Sequence, residues 1–318
     1  MGLLFIGATG SIGTGVLPII SSVIAGIPFF VRGNIKQCVY LEKGVVTTFT
    51  LEEFLSGKHP LVQRALLRIS YIIYLANPRF IPHSQTMMLS SYRVNFLDLA
   101  RVINTIKKGS KDHTVNLLYA STGSVYSSSV SDLKRECDSV CADDTYQASK
   151  LLGEAICALE SKFNRTRLRC TSLRIFHVFK DFQEKGFIYQ LVSRISQGKP
   201  IILDGPSGKI ITPTSVTLVA HSILDLLDYK GVLPAVINLC GSVRTSMRQL
   251  SSQISELCGL RLSGFEIIGK EEFFVGDNTL LRTLLTRETV ERYFDMPLSL
   301  ESSIYTTAIL IKSKKDSR

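Results

Sequence analysis

The chain has 318 residues, 45% of them hydrophobic and 20% charged, with a formal net charge of +10. This is globular composition rather than disorder, and the length suits one large domain or a domain with a lobe. A positive surface attracts anions, which fits nucleotides and nucleotide-linked substrates as well as nucleic acid or an acidic membrane.

No charged residue occurs from Gly2 to Val31. A signal peptide lacks its positive n-region here, and Gly7, Gly10, Gly13, Gly15, Pro18 and Gly26 interrupt any lipid-spanning helix. A buried strand at Leu3–Ile6, a helix over Ser11–Ala25 and a second buried strand at Ile27–Val31 explain the same run. Further strands are predicted at Val45–Phe49, Tyr71–Ala76, Asn116–Ala120 and Arg169–Ile175. Helices are predicted around Leu51–Leu55 and Leu61–Arg68, then over Tyr92–Lys107 and Thr145–Phe163. Such alternation specifies an α/β fold, a Rossmann-type doubly wound parallel sheet with helices on both faces.

After His177 the elements shorten. A strand between two turns is expected within Gly198–Gly208, a helix over Ser215–Leu227, and a strand at Val236–Cys240 that could return to the main sheet. The expected organisation is a dinucleotide-binding domain over 1–180 and a smaller C-terminal α/β substrate lobe over 181–318, with part of 211–242 returning to the main domain. The seven cysteines are an odd number without a Cys-x-x-Cys pair, so a reduced, cytoplasmic compartment is the simpler expectation. The five histidines lack zinc-binding spacing, and no metal site is expected.

Gly7-Ala-Thr-Gly-Ser-Ile-Gly13 follows the first strand and opens the first helix. Glycines there allow a sharp turn and close approach to a diphosphate, which faces helix N-terminal amides. Gly7, Thr9, Gly10, Ser11, Ile12 and Gly13 are therefore candidate cofactor residues; a tight strand-helix connection would use the same glycines. After the second expected strand, Phe30-Val-Arg-Gly-Asn-Ile-Lys-Gln37 contains no acid and two bases. Arg32 and Lys36 suit a ribose 2′-phosphate and favour NADP over NAD, unless Arg32 is an ordinary exposed charge or stacks on the adenine.

Tyr146 and Lys150 stand four residues apart in a helical run, which puts both on one face. A phenol has a pKa of about 10 and is a poor acid or base at neutral pH. Lowering it by roughly three units takes about 4 kcal/mol, which a desolvated lysine beside a bound cationic ring could supply.

With Gly7–Gly13, Ser121-Thr-Gly-Ser-Val-Tyr126 and Tyr146-Gln-Ala-Ser-Lys150, the chain resembles the extended short-chain dehydrogenase/reductases of the NAD-dependent epimerase/dehydratase type. Tyr74-Leu-Ala-Asn77, the helix beginning at Asn95, Leu173-Arg-Ile-Phe-His-Val178 and Gly198–Gly205 are similar to further family segments. The resemblance implies that Tyr146 is the proton donor or acceptor, that Lys150 lowers its pKa and binds the nicotinamide ribose, and that Thr122 holds the reacting oxygen. It also implies cofactor contacts at Leu75, Ala76, Asn77 and Phe176 and a substrate contact at Ser124, although for Thr122 and Ser124 turn chemistry after a strand is the simpler reading. His177 stands in place of the family's asparagine facing the substrate, where it could hydrogen-bond substrate or be a satisfied structural residue. A homodimer through the helix carrying Tyr146 and Lys150 is a further implication, although packing on the sheet would use the same apolar residues.

The sequence departs from the family pattern in two places. Sugar dehydratases carry Thr-Asp-Glu where this chain has Thr122-Gly123-Ser124, so the acid and base for eliminating water are missing. In the lobe, Ile211 stands where an arginine often grips the substrate diphosphate, and Val275-Gly-Asp277 is similar to an Arg-Pro-Gly-Asp motif without its arginine. Lys209, Arg244 or Arg282 could substitute, and Lys209 and Arg282 are taken as candidate substrate residues.

The expected activity is NADPH-dependent reduction of a keto group on a nucleotide-activated sugar, an anionic small molecule. An NAD-dependent nucleotide-sugar epimerase is the alternative. A non-catalytic dinucleotide sensor or nucleic-acid-binding protein is the third reading, but no aromatic-rich basic platform supports nucleic acid. No membrane partner is expected.

Overall fold

The computed structural model describes residues 2–26, 29, 38–78, 85–110, 113–127, 132–181, 186–294 and 298–316. In chain order the elements begin with β1 (Gly2–Ile6), α1 (Gly13–Ile24), β2 (Cys38–Glu42), β3 (Val45–Phe49), α2 (Leu51–Ser56), α3 (Pro60–Leu66) and β4 (Ile69–Tyr74). There follow α4 (Gln85–Tyr92), a π-helical segment at Arg93–Asp98, α5 (Leu99–Gly109), β5 (Val115–Thr122), β6 (Leu133–Lys134), α6 (Thr145–Phe163) and β7 (Leu168–Ile175). The remainder is β8 (Val178–Phe179), α7 (Phe187–Ser196), β9 (Ile201–Asp204), β10 (Ile210–Ile211), β11 (Thr214–Ser215), α8 (Val216–Asp228), β12 (Val236–Leu239) and β13 (Thr245–Ser246). It ends with α9 (Met247–Cys258), β14 (Phe265–Ile268), β15 (Phe273–Gly276), α10 (Thr279–Leu284), α11 (Arg287–Thr289) and α12 (Leu298–Asp316).

Seven strands form one sheet in the order β12-β7-β5-β4-β1-β2-β3. β1 pairs in parallel with β4, and β4 in parallel with β5. The strand of Val236–Leu239 does return to this sheet, beside β7. Two compact units divide the chain, the first comprising Met1–Ser127, Ser139–Arg174 and Ile223–Ile237 and the second Ser128–Asp138, Ile175–Ser222 and Asn238–Arg318.

On one side of β1 the sheet is not parallel. β2 runs antiparallel to β1, with Leu3 opposite Leu41 and Ile6 opposite Cys38, and β3 folds back antiparallel on β2. Lys43-Gly44 makes the hairpin turn, with Gly44 at φ 72°. Two residues ending in glycine between β-rich runs are a hairpin signal that the expected alternation of strand and helix did not include. The strand expected at Ile27–Val31 lies outside the described residues, apart from Phe29.

The core of the first unit joins sheet residues Leu4, Ile6, Ile72, Leu117 and Tyr119 to Val102, Ile103 and Ile106 of α5 and Cys157 of α6. α6 is capped by Asp144, whose carboxylate accepts from the Gln147 amide. Its buried residues are Ser149, Lys150, Gly153, Glu154 and Cys157, a stripe at helical spacing that is unusually polar for an inward face. Among the described residues no helix is long and apolar enough to cross a membrane.

Gly153 decides how closely α6 approaches its neighbours. A Cβ there would lie 2.2 Å from the Tyr119 hydroxyl and 2.7 Å from the Asn95 carbonyl oxygen. Gly153→Ala is expected to lower the free energy of unfolding in urea by roughly 1–3 kcal/mol through overpacking, against alanine's better helix propensity. Unchanged or higher stability would show that this seat is not tight.

Candidate active site

The first candidate feature is the turn after β1. Gly7 has φ 95°, and a Cβ on it would meet the Leu75–Ala76 backbone at 2.4 Å, so it must be glycine for two reasons. Gly13 is equally constrained, since its Cβ would lie 2.1 Å from the Gly7 carbonyl oxygen. At Gly10 a Cβ would meet only that same oxygen, at 3.2 Å, so the outer side of the turn is open for a ligand to reach the backbone. The first turn of α1 has no side-chain cap and no acid, which leaves its positive dipole end to an external anion. Thr9 and Ser11 are exposed at the tip. These residues fit the diphosphate of a dinucleotide.

The turn connects to α6 through β4. Leu75 continues the ladder beyond β4 by donating its amide to Ile6. Asn77 follows, and its Oδ1 accepts from Asn95 Nδ2 at 3.1 Å, while the same Nδ2 donates to Ser149 Oγ at 2.9 Å. Ser149 in turn donates to the Tyr146 carbonyl at 2.7 Å. Asn95 is fully buried on the π-helical segment, a helix irregularity common at functional sites, and its Oδ1 has no partner among the described residues.

Thr122, Tyr146 and Lys150 are brought together at the end of β5. The Thr122 hydroxyl stands near the Tyr146 phenol and favours its ionised form. It also caps the short 3-10 turn at Gly123–Val125 by accepting from the Ser124 amide, and lies 3.1 Å from Ser124 Oγ. The hydroxyl that caps this turn is thus the same one that stands near the Tyr146 phenol. Lys150 is buried, with Nζ donating to the Ala120 carbonyl at 2.7 Å, 5.2 Å from the Tyr119 ring centre and 5.9 Å from that of Tyr146.

Burial pushes the Tyr146 phenol up to about 12, and the nearby Thr122 hydroxyl only partly opposes it. Burial also drives the Lys150 ammonium down to about 7, against the Glu154 carboxylate, which favours the charge. Desolvation acts on both groups more strongly than they act on each other.

Arg32 and Lys36, the expected NADP determinants, lie outside the described residues. Beside the end of β1 stands instead Cys38, a buried thiol pushed up to about 12. Phe176, expected at the cofactor, belongs to the second unit, where it is buried and a Cβ on Gly276 would touch its ring.

The remaining substrate candidates also lie in the second unit. His177 has φ 31°, a conformation that costs a non-glycine residue roughly 1–3 kcal/mol. Its ring stands edge-on to Phe187 and Phe274, and Nδ1 is buried with no partner among the described residues. Burial holds it near 4, with Lys209 adding to the effect, so the imidazole is neutral at physiological pH. Lys209 is paired with Glu272 at 3.0 Å and Asp204 at 3.8 Å, with its ammonium over Phe274. Ile211 is fully buried in β10, so this position offers no charge to a diphosphate. Arg282 is elsewhere, over the Phe294 ring, and Arg244 faces Asp132 and Phe273.

A cavity of about 230 Å³ in the second unit is lined by Phe187, Leu203, Lys209 and Met247. A larger one, about 490 Å³, lies between α8, α9 and α12 and is lined by Arg244 but by none of Lys209, Arg282 and His177. Sequence reasoning missed Ser149 and Glu154 as site members. The signal was available in the polar residues on the inward face of α6, Glu154 standing four residues after Lys150.

A family model described as the NAD-dependent epimerase/dehydratase family matches residues 3–210. No curated protein matches the chain. Among solved structures, the chain is similar to MoeE5 in complex with UDP-glucuronic acid and NAD, at 20% identity over 98% of this chain and 99% of that one, with a TM-score of 0.72. It is similar to UDP-N-acetylglucosamine 4-epimerase from Bacillus cereus at 18% identity, covering 97% and 98%, with a TM-score of 0.68. RMD from Pseudomonas aeruginosa complexed with NADPH matches at 17% identity, covering 83% of this chain and 94% of that one, with a TM-score of 0.62.

Burying Lys150 has a consequence for stability. Below pH 7 or so both folded and unfolded chains carry the proton, and the buried charge costs its full amount; above that the folded chain releases it first, so stability rises toward the usual value of 10.5. The buried thiols of Cys38 and Cys240, both pushed up to about 12, act in the opposite sense once free cysteine ionises near pH 8.5. Between about pH 7 and 9, the unfolding free energy of the wild type relative to Lys150→Met is expected to rise by roughly 2 kcal/mol, measured by denaturant titration. A difference independent of pH would mean that Lys150 does not titrate while buried.

Proposed function

Because the chain belongs to the NAD-dependent epimerase/dehydratase family and is an enzyme of the extended short-chain dehydrogenase/reductase type, we propose that it epimerises a nucleotide-linked sugar through a transient ketone. The observation that carries the proposal is the placement of Tyr146 beside Thr122 and within 5.9 Å of the Lys150 ammonium on the same helix, tied through Ser149, Asn95 and Asn77 to the strand end that packs on the glycine turn.

Gly7, Gly10, Gly13 and the first turn of α1 would hold the diphosphate of a nicotinamide dinucleotide, with Ala76 and Asn77 alongside. When bound, that group supplies a hydride acceptor for the oxidation and a donor for the reduction. Tyr146 Oη takes the proton of the sugar hydroxyl as the carbon is oxidised and returns it when the ketone is reduced. Thr122 Oγ1 orients the reacting oxygen, and the Lys150 ammonium stabilises the phenolate. The absence of acids at Gly123 and Ser124 removes the means to expel a second hydroxyl, so elimination is not part of the proposal.

The proposed cofactor is NAD, in place of the NADP expected from Arg32 and Lys36. Support comes from the similarity to MoeE5, whose structure carries NAD and UDP-glucuronic acid. A reductase using NADPH is the second reading, favoured by those two bases and by the similarity to RMD.

UDP-glucose, UDP-glucuronic acid and UDP-N-acetylglucosamine serve as trial substrates, with the near-ultraviolet absorbance of reduced nicotinamide followed alongside product analysis. Sugar interconversion without net absorbance change is expected; stoichiometric loss of NADPH absorbance would replace this reading with the reductase. Tyr146→Phe is expected to bind dinucleotide normally and lose activity by about 10³-fold or more, and Thr122→Val by roughly 10²-fold. An active Tyr146→Phe protein would refute the assignment.

A further inference from the structure

Next to the acid–base pair lies a buried charged cluster to which the proposed reaction gives no task. Glu154 is 9% exposed on the inward face of α6, one turn beyond Lys150. Its carboxylate accepts from Arg174 Nε at 3.0 Å, from Arg174 Nη2 at 2.8 Å, and from the Ser121 hydroxyl. The Arg174 guanidinium lies over the Tyr126 ring, 4.7 Å from its centre. Three elements therefore meet on one carboxylate: β5 through Ser121, α6 through Glu154 and β7 through Arg174.

A buried ion pair is a weak source of stability, because desolvation offsets much of the attraction and apolar residues of similar volume often serve as well. Here both carboxylate oxygens are held in fixed directions. Ser121 is also the immediate neighbour of Thr122, and Glu154 shares a helix face with Lys150.

We propose that Glu154 is a positioning residue for the catalytic pair: clamped by Arg174 and Ser121, it supplies the counter-charge to the Lys150 ammonium and ties the Ser121–Thr122 strand end to α6. The proposal rests on the function assigned to Tyr146 and Lys150 above.

The surroundings of Lys150 give Glu154 this role. β5 presents the Ala120 carbonyl and the Tyr119 ring, whose phenol burial keeps neutral. The π-helical segment presents the neutral Asn95, which bonds Ser149. α6 itself presents Tyr146 and Glu154, and the charge nearby on β7, Arg174, is engaged by Glu154. Among the described residues, Glu154 is the acid that opposes the desolvation of Lys150. With its charge removed, desolvation acts alone, Nζ becomes a neutral amine at neutral pH, and the phenolate loses its support.

The test is a titration of Lys150 in the full-length protein by isotope-edited NMR of the lysine ε-methylene groups, with the signal assigned by its loss in Lys150→Met. Glu154→Gln is expected to lower the Lys150 midpoint by about one pH unit or more, a tenfold change, with partial recovery in Glu154→Asp. Since Glu154→Gln strands the Arg174 charge, which itself repels the Lys150 ammonium, Glu154→Gln/Arg174→Met, which removes both charges together, is the second variant, and a fall in the same direction but smaller is expected. A midpoint within about 0.3 unit of wild type in both variants overturns the proposal. A purely structural clamp would lower stability without moving the midpoint. Binding of NAD, measured separately on the wild type, reports on the proposed function: its absence would sink that reading while the Lys150 midpoint still decides the role of Glu154.

Discussion

Burying a lysine ammonium against the end of β5 is the constraint that the first unit is arranged to meet. Lys150 has one hydrogen-bonded carbonyl, two aromatic rings and one acid near it, and each comes from an element held in place by something else. Ala120 and Tyr119 belong to a central strand of the sheet. Glu154 is fixed by Arg174 on the next strand. α6 can bring Lys150 this close to the strand because Gly153 has no side chain to collide with Tyr119 and Asn95. A larger residue there would push the helix away and leave the ammonium without partners, which in a desolvated interior is more costly than losing an apolar contact.

The same economy of space governs the glycine turn. Gly7 packs on the backbone of Leu75–Ala76 and Gly13 packs on Gly7, so two of the three glycines are required by the protein's own packing, and the third, Gly10, borders open space. Ligand and structure therefore divide the motif. From Asn77, just beyond the Leu75–Ala76 backbone on which Gly7 packs, hydrogen bonds through Asn95 and Ser149 lead to the Tyr146 carbonyl, so the turn and the helix of Tyr146 are positioned within one unit.

In the second unit the chemistry is subdued. Lys209 is balanced by Asp204 and Glu272, Ile211 is in the core, and His177 is neutral and held at a positive φ between two phenylalanines. The strain at His177 is of the size usually retained where a side chain has a task.

Much of this was legible in the residues alone. The apolar run of β1, the glycine spacing, the full extent of the helix Thr145–Phe163 and the return of Val236–Leu239 to the main sheet follow from local patterning, because hydrophobic period and turn chemistry are properties of neighbouring residues. The four-residue interval of Tyr146 and Lys150 likewise sufficed to put them on one helix face. Tertiary structure decided the rest. The Lys43-Gly44 turn is a local hairpin signal, but that β2 then pairs antiparallel with β1 is decided by the assembled sheet, as is the π-helical segment at Arg93–Asp98. Above all, the sequence names an ammonium and a phenol but not their state of ionisation, which depends on burial and on a carboxylate oriented by Arg174 from another strand. Electrostatic free energy is set by distance and solvent exclusion in three dimensions, and neither is written in the order of the residues.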